Sequence, residues 1–188
     1  MLLDDELLAR IRAEAPPGRL MPPAPTEAVT EFEAAIGFPM PPLLRRLYLE
    51  VSDGCFGRWW SALPLTDETL TKNGYLEPEL MPDTYARWQQ RSACPTSVVP
   101  LLTGGCAIWS LVDFGTAEGR MWGWDPNVRC EAHAIFPEKF TLADRLTGWL
   151  DDTDEFPEPP DFTDCAACSR FWPKPDPWWP APRGGADQ

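Results

Sequence analysis

The sequence predicts a single α+β domain, and three observations carry that prediction. Apolar residues repeat at helical spacing in the N-terminal third and again near residue 145. The stretch from Leu101 to Asn127 is instead glycine-punctuated, rich in tryptophan and built of β-formers. A chain of 188 residues, 44% of them hydrophobic, suits one core, since domains cluster at roughly 100 to 200 residues.

Leu3, Leu7, Leu8 and Ile11 recur at helical spacing, so residues 3–14 are read as a short amphipathic helix that stops before Pro16-Pro17-Gly18. A proline-rich spacer follows, through Pro25. Thr26 is placed to cap a second helix: Glu27 and Glu31 lie near its positive end, and Val29, Phe32 and Ile36 share one face. Gly37 can take the left-handed conformation that ends it. After Phe38-Pro39-Met40, Pro41 and Pro42 open a third helix in which Leu44, Leu47, Tyr48 and Val51 repeat at i, i+3, i+4, i+7, until Ser52-Asp53-Gly54 breaks it.

Trp59 to Leu65 is predicted as a first strand, and residues 66–97 as a long insertion loop with a short helix from Tyr85 to Arg91. Val98 to Leu102, Cys106 to Phe114 and Arg120 to Trp124 then form an antiparallel meander, with turns at Thr103-Gly104-Gly105 and Gly115 to Gly119. A short strand from Ala132 to Phe136 is expected to end at Pro137. Thr141 caps a last helix whose Leu142, Leu146, Trp149 and Leu150 form the buried stripe. Three parts result: an N-terminal helix and spacer (1–25), the main domain (26–151) and a Pro/Trp-rich acidic tail (152–188). The chain holds 23 prolines, more than twice the average usage of about 5%, and many of them fall in that spacer and tail.

Charge narrows the function classes. With 29 acidic residues against 16 basic ones the net charge is −13, which disfavours nucleic acid and anionic membrane and suits a basic protein partner or solubility alone. Met1-Leu2-Leu3-Asp4-Asp5-Glu6 has no basic n-region, and no apolar run reaches the 18 or so residues of a membrane span. Six cysteines in a chain of this length do not form a disulfide scaffold, so a reducing cytoplasm is expected.

Catalytic signals are weak. The one histidine, His133, has no nucleophile motif near it and is read as structural, and no phosphate-cradling glycine loop occurs. Cys165-Ala166-Ala167-Cys168 has the spacing that lets two thiolates share a zinc ion, but a tetrahedral site needs two more ligands and no second such motif supplies them. Cys55, Cys94, Cys106, Cys130 and His133 would have to converge by folding, so the two thiols are read as ordinary and neither metal nor cofactor is expected. The acidic run Asp144, Asp151, Asp152, Asp154, Glu155, Glu158, Asp161 and Asp164, with Arg145 alone as counter-charge, is either a solvated surface or an electrostatic landing site. Trp59, Trp60, Trp109, Trp122 and Trp124 fall in or beside predicted strands, and Trp122 and Trp124, two apart, project to one face. Such residues serve as core or, on an open face, as binding anchors.

The order of segments adds a resemblance. Glu31-Phe32-Glu33-Ala34-Ala35-Ile36-Gly37-Phe38-Pro39-Met40-Pro41, Ser52-Asp53-Gly54, Val99-Pro100-Leu101-Leu102, Gly104-Gly105-Cys106, Ser110-Leu111-Val112-Asp113, Gly119 to Asp125-Pro126-Asn127 and Phe140 to Leu146 together resemble the SUKH superfamily, over roughly residues 26–151. The resemblance implies helices packed on a bent antiparallel sheet with a closing helix, no catalysis, and a role in protein binding. That superfamily includes cell-wall regulators and immunity proteins that neutralise toxins, nucleases among them. The chain departs from it in the 66–97 insertion and the tail. The expected function is an immunity-type, non-catalytic module that binds and neutralises a basic toxin domain through Asp53, Trp59, Trp60, Asp113, Trp122, Trp124 and Asp125. A regulatory scaffold for a housekeeping protein and a small-molecule or glycan binder are the alternatives.

Overall fold

The computed structural model describes residues 4–57, 61–66, 79–90, 94–127, 130–153 and 165–167. Helices α1 (Asp4–Glu14), α2 (Thr26–Ile36) and α3 (Pro42–Arg46) come first, and α3 runs on into a π-helical turn, Leu47–Val51. Then follow α4 (Met81–Trp88), strands β1 (Val98–Gly105), β2 (Ile108–Asp113) and β3 (Arg120–Trp124), the one-turn helix α5 (Glu131–Ala134), β4 (Ile135–Thr141) and α6 (Leu142–Leu150). The four strands form one antiparallel sheet in the order β1-β2-β3-β4. The fold class is α+β.

Alternation along the strands gives this sheet two apolar faces. On one, Val99, Val112 and Met121 join Leu7, Leu8 and Ile11 of α1, Val29, Phe32 and Ile36 of α2, Leu44, Leu47 and Tyr48 of the third helix, and Leu142 and Leu146 of α6. The N-terminal helix therefore shares the main core; its three buried residues each contribute roughly 1.5–3 kcal/mol. On the other face Val98, Leu111, Trp124, Ala134 and Ile135 meet Trp88 of α4. Among the described residues no helix is long and apolar enough to cross a membrane.

Local departures from expectation have identifiable causes. Pro25, not Thr26, stands at the N-cap of α2, so no side chain caps that helix; Gly37 does end it, at φ 82°. The π-helical turn closes with the Ser52 amide donating to the Leu47 carbonyl at 3.0 Å, and it keeps Leu47, Tyr48 and Val51 all inward. The proline spacer is pinned along this turn, with the Ala24 amide on the Tyr48 carbonyl (2.8 Å) and the Met21 amide on the Ser52 hydroxyl (2.8 Å).

The first strand expected from Trp59 to Leu65 reduces, in its described part, to one bridge between Ala62 and Leu102. Pro64 has no amide to donate, and the Leu65 and Thr66 amides turn to the Asp53 carboxylate instead of a ladder. Inside the insertion, α4 starts at Met81, earlier than expected, because Pro82 suits a first helical turn. The first hairpin turns at Cys106-Ala107 and not at Gly104-Gly105: both residues have positive φ, 50° and 62°, the geometry of a tight mirror-image turn, and β1 continues to Gly105 opposite Ile108. His133 lies in α5, and the strand placed at Ala132–Phe136 begins at Ile135 and passes through Pro137, which the last-placed strand β4 tolerates. Thr141 caps α6 in a reciprocal box with Asp144, with Leu142 and Leu146 buried and Trp149 and Leu150 half-buried.

Candidate functional site

Four tryptophans converge on the smaller face of the sheet. Trp122 and Trp124 sit two apart on β3 and so share a face; across the ladder, Leu111 pairs with Trp122 and Trp109 with Trp124. From α4, Trp88 crosses this row, its ring centroid 4.9 Å from Trp124 and 6.2 Å from Trp109, both edge-to-face. Trp88 covers Trp124, which is 5% exposed, and leaves Trp109 and Trp122 half-buried. Among the described residues, the partly exposed tryptophans on this face are Trp109 and Trp122.

The expected contact residues divide accordingly. Trp59 and Trp60 lie outside the described residues. Asp53 is buried: one carboxylate oxygen accepts from the Leu65 amide at 2.7 Å, the other from the Thr66 amide at 3.0 Å and the Thr66 hydroxyl at 2.5 Å. It is an organising hub for the loop after the third helix, not a surface group. Asp125 is also buried, its Oδ1 accepting from the Asn127 amide (2.9 Å) and side-chain Nδ2 (3.0 Å), while Asn127 Nδ2 also reaches the Cys106 carbonyl and braces the first hairpin. Asp113 is half-buried and accepts from the Gly115 amide at 2.8 Å, which shapes the β2–β3 turn. Of the seven residues expected to meet a partner, Asp113 and Trp122 combine a described position with partial exposure.

The acidic run is partly absorbed by the fold. Asp144 belongs to the capping box and Asp151 pairs with Arg10 of α1 at 3.0 Å. Arg145, expected to balance that run, is buried instead against Glu138 of β4 and stacks over the Phe140 ring at 5.1 Å. Burial raises the Glu138 carboxyl above its ordinary value by more than Arg145 lowers it. Asp152 is exposed just after α6, and the remaining acids of the run, Asp154, Glu155, Glu158, Asp161 and Asp164, lie outside the described residues.

Sequence reasoning missed two things. Trp88 and Trp109 complete the aromatic row, and neither was placed among the contact residues. Beside that row, at the start of α5, Cys130 Sγ stands 3.3 Å from His133 Nδ1, and Cys165, from beyond α6, brings its sulfur into the same place, the three donor atoms lying within 4.8 Å of one another. The one-turn helix explains the first pair, since residues three apart share a side and the His133 and Ala134 amides both donate to the Cys130 carbonyl. A signal was present: Cys-x-x-His at 130–133 and Cys-x-x-Cys at 165–168 are two half-sites of matching spacing. Reading His133 as a strand residue separated them. Compared with protein-family models, curated proteins and solved structures, the chain matches none.

Proposed function

We propose that this chain is a non-catalytic protein-binding module, that it acts in the cytoplasm, and that it engages a basic protein domain through the rim of its tryptophan face. The observation that carries this reading is the half-buried pair Trp109 and Trp122 beside Asp113 on a chain of net charge −13. Large, rigid aromatic groups anchored by a covered neighbour lose little entropy on binding and supply most of the energy of typical interfaces, while the acidic field steers a cationic partner and rejects acidic ones. The resemblance to the SUKH superfamily narrows the partner to a toxin domain that the module neutralises by occlusion.

Co-expression with any toxin domain encoded beside the gene tests the proposal. A complex should co-purify and growth should be rescued. Trp122→Ala should weaken binding at least tenfold, and the association rate should fall by about an order of magnitude from 50 to 500 mM salt. Toxicity that persists with no complex formed would remove this reading.

A further inference from the structure

Two cysteines and a histidine from distant parts of the chain meet at the β3–β4 connection. Cys130 Sγ and His133 Nδ1 are 3.3 Å apart, and with Cys165 Sγ they fall within 4.8 Å of one another, all half-buried. With Zn–S of about 2.3 Å and Zn–N of about 2.0–2.1 Å, donors at the corners of a tetrahedron are about 3.5–3.8 Å apart; the Cys130–His133 pair at 3.3 Å is near that spacing, and the 4.8 Å bound puts the Cys165 sulfur within about 1 Å of it. A thiol–imidazole pair alone is a hydrogen bond of modest strength. A third soft donor delivered by a segment beyond α6 makes it a ligand set.

We propose that Cys130, His133 and Cys165 supply three of the four ligands of one zinc ion, the fourth position being taken by water or a further donor, and that the ion clips Cys165 to the β3–β4 connection. Two thiolates and an imidazole match the borderline-soft preference of Zn2+ and exclude the hard cations Mg2+ and Ca2+, which take oxygen ligands. The location gives the ion mechanical work. Cys130 is the N-cap of α5, a helix of four residues and too short to be stable alone, and Ala134 at its end packs into the tryptophan cluster. Fixing Cys130 and His133 to Cys165 therefore holds α5 against that face. The sequence carries a further thiol at Cys168, three residues on, outside the described residues.

The test uses the full chain purified under reducing conditions without chelator. Elemental analysis should find about one zinc per chain. After zinc removal, Co2+ alone should produce thiolate-to-cobalt charge-transfer absorption and the intense visible bands of a tetrahedral site. Cys130→Ser, Cys165→Ser and His133→Ala should each lose the stoichiometric metal, while His133→Cys, which restores a soft donor, should retain it. Removing the ion should lower Tm by about 5 °C or more, since binding to the folded state alone shifts the unfolding equilibrium. Metal-poor protein that shows no charge-transfer band with Co2+ would overturn the proposal, as would full zinc content in both cysteine variants. Should the serine variants fail to fold, the cobalt spectrum of the wild-type chain decides.

Discussion

The Asp53 carboxylate, almost completely buried, accepts two amides and a hydroxyl from Leu65 and Thr66; its loss leaves the Leu65 amide without a partner in the interior, while the donors of the exposed Thr66 can turn to solvent. Each buried orphan costs about 1–3 kcal/mol, and Asp53→Ala should destabilise the fold by roughly 3 kcal/mol in urea unfolding, with Asp53→Asn milder because it keeps one acceptor. Glu138 and Arg145 make a different case, a buried ion pair whose carboxyl is held above its ordinary value by burial. A folded-state pKa above the unfolded one means that the folded chain holds this proton more tightly. The Glu138 contribution therefore favours folding at pH below about 4.5 and declines as pH rises through the raised value. Arg145→Met removes both the charge and the hydrogen bond that lower that pKa and should cost about 3 kcal/mol at pH 7, but distinctly less at pH 5, where the carboxyl is easier to protonate. The Glu138→Gln/Arg145→Met double variant should lose that pH dependence; equal penalties for Arg145→Met at both pH values would show that the pair is not electrostatically coupled. At this scale the sequence was least informative. Asp53, Asp125 and Arg145 read as surface charge, because a charged residue's type gives no hint that local amides or a buried carboxylate await it.

Elements were more legible than residues. Helical periodicity placed α1, α2, the third helix and α6 correctly, and Thr141 with Asp144 gave the start of α6 from local chemistry alone, because caps and apolar stripes involve neighbours within four residues. Turn position was less so. Gly104-Gly105 is the stronger turn signal, yet β1 pairs through it and the chain reverses at Cys106-Ala107, two non-glycine residues with positive φ. The register of Trp109 and Leu111 against β3, together with the brace from Asn127, outweighs the local preference. That strain is removable: Cys106→Asn with Ala107→Gly should stabilise the protein by about 1–2 kcal/mol, raising the urea midpoint at constant slope. An unchanged or lower midpoint would mean that the hairpin takes another turn geometry. The helix expected inside the insertion and the strand before Pro137 were right in kind but displaced in position, since prolines mark boundaries without saying on which side the element lies.

In the whole molecule, the sheet separates two cores of unequal size, and α4, an insert in the chain order, covers the smaller one through Trp88. Trp88→Ala should cost about 3–5 kcal/mol and uncover Trp124 and Trp109, with a red-shifted tryptophan emission and new binding of a hydrophobic dye. A fold unchanged in stability and emission would show that α4 is dispensable to this face. By itself the sequence determined the α+β class, the helical stripes, the antiparallel meander and the shared face of Trp122 and Trp124, because periods of 3.6 and 2 are set by backbone geometry and need no distant partner. Only the tertiary structure decided what covers each face and which side chains meet across it. Trp88 over Trp124, Arg145 against Glu138, and Cys165 beside Cys130 and His133 join residues with 7 to 36 positions between partners' numbers. Those pairings depend on how the elements pack, which spacing along the chain does not encode.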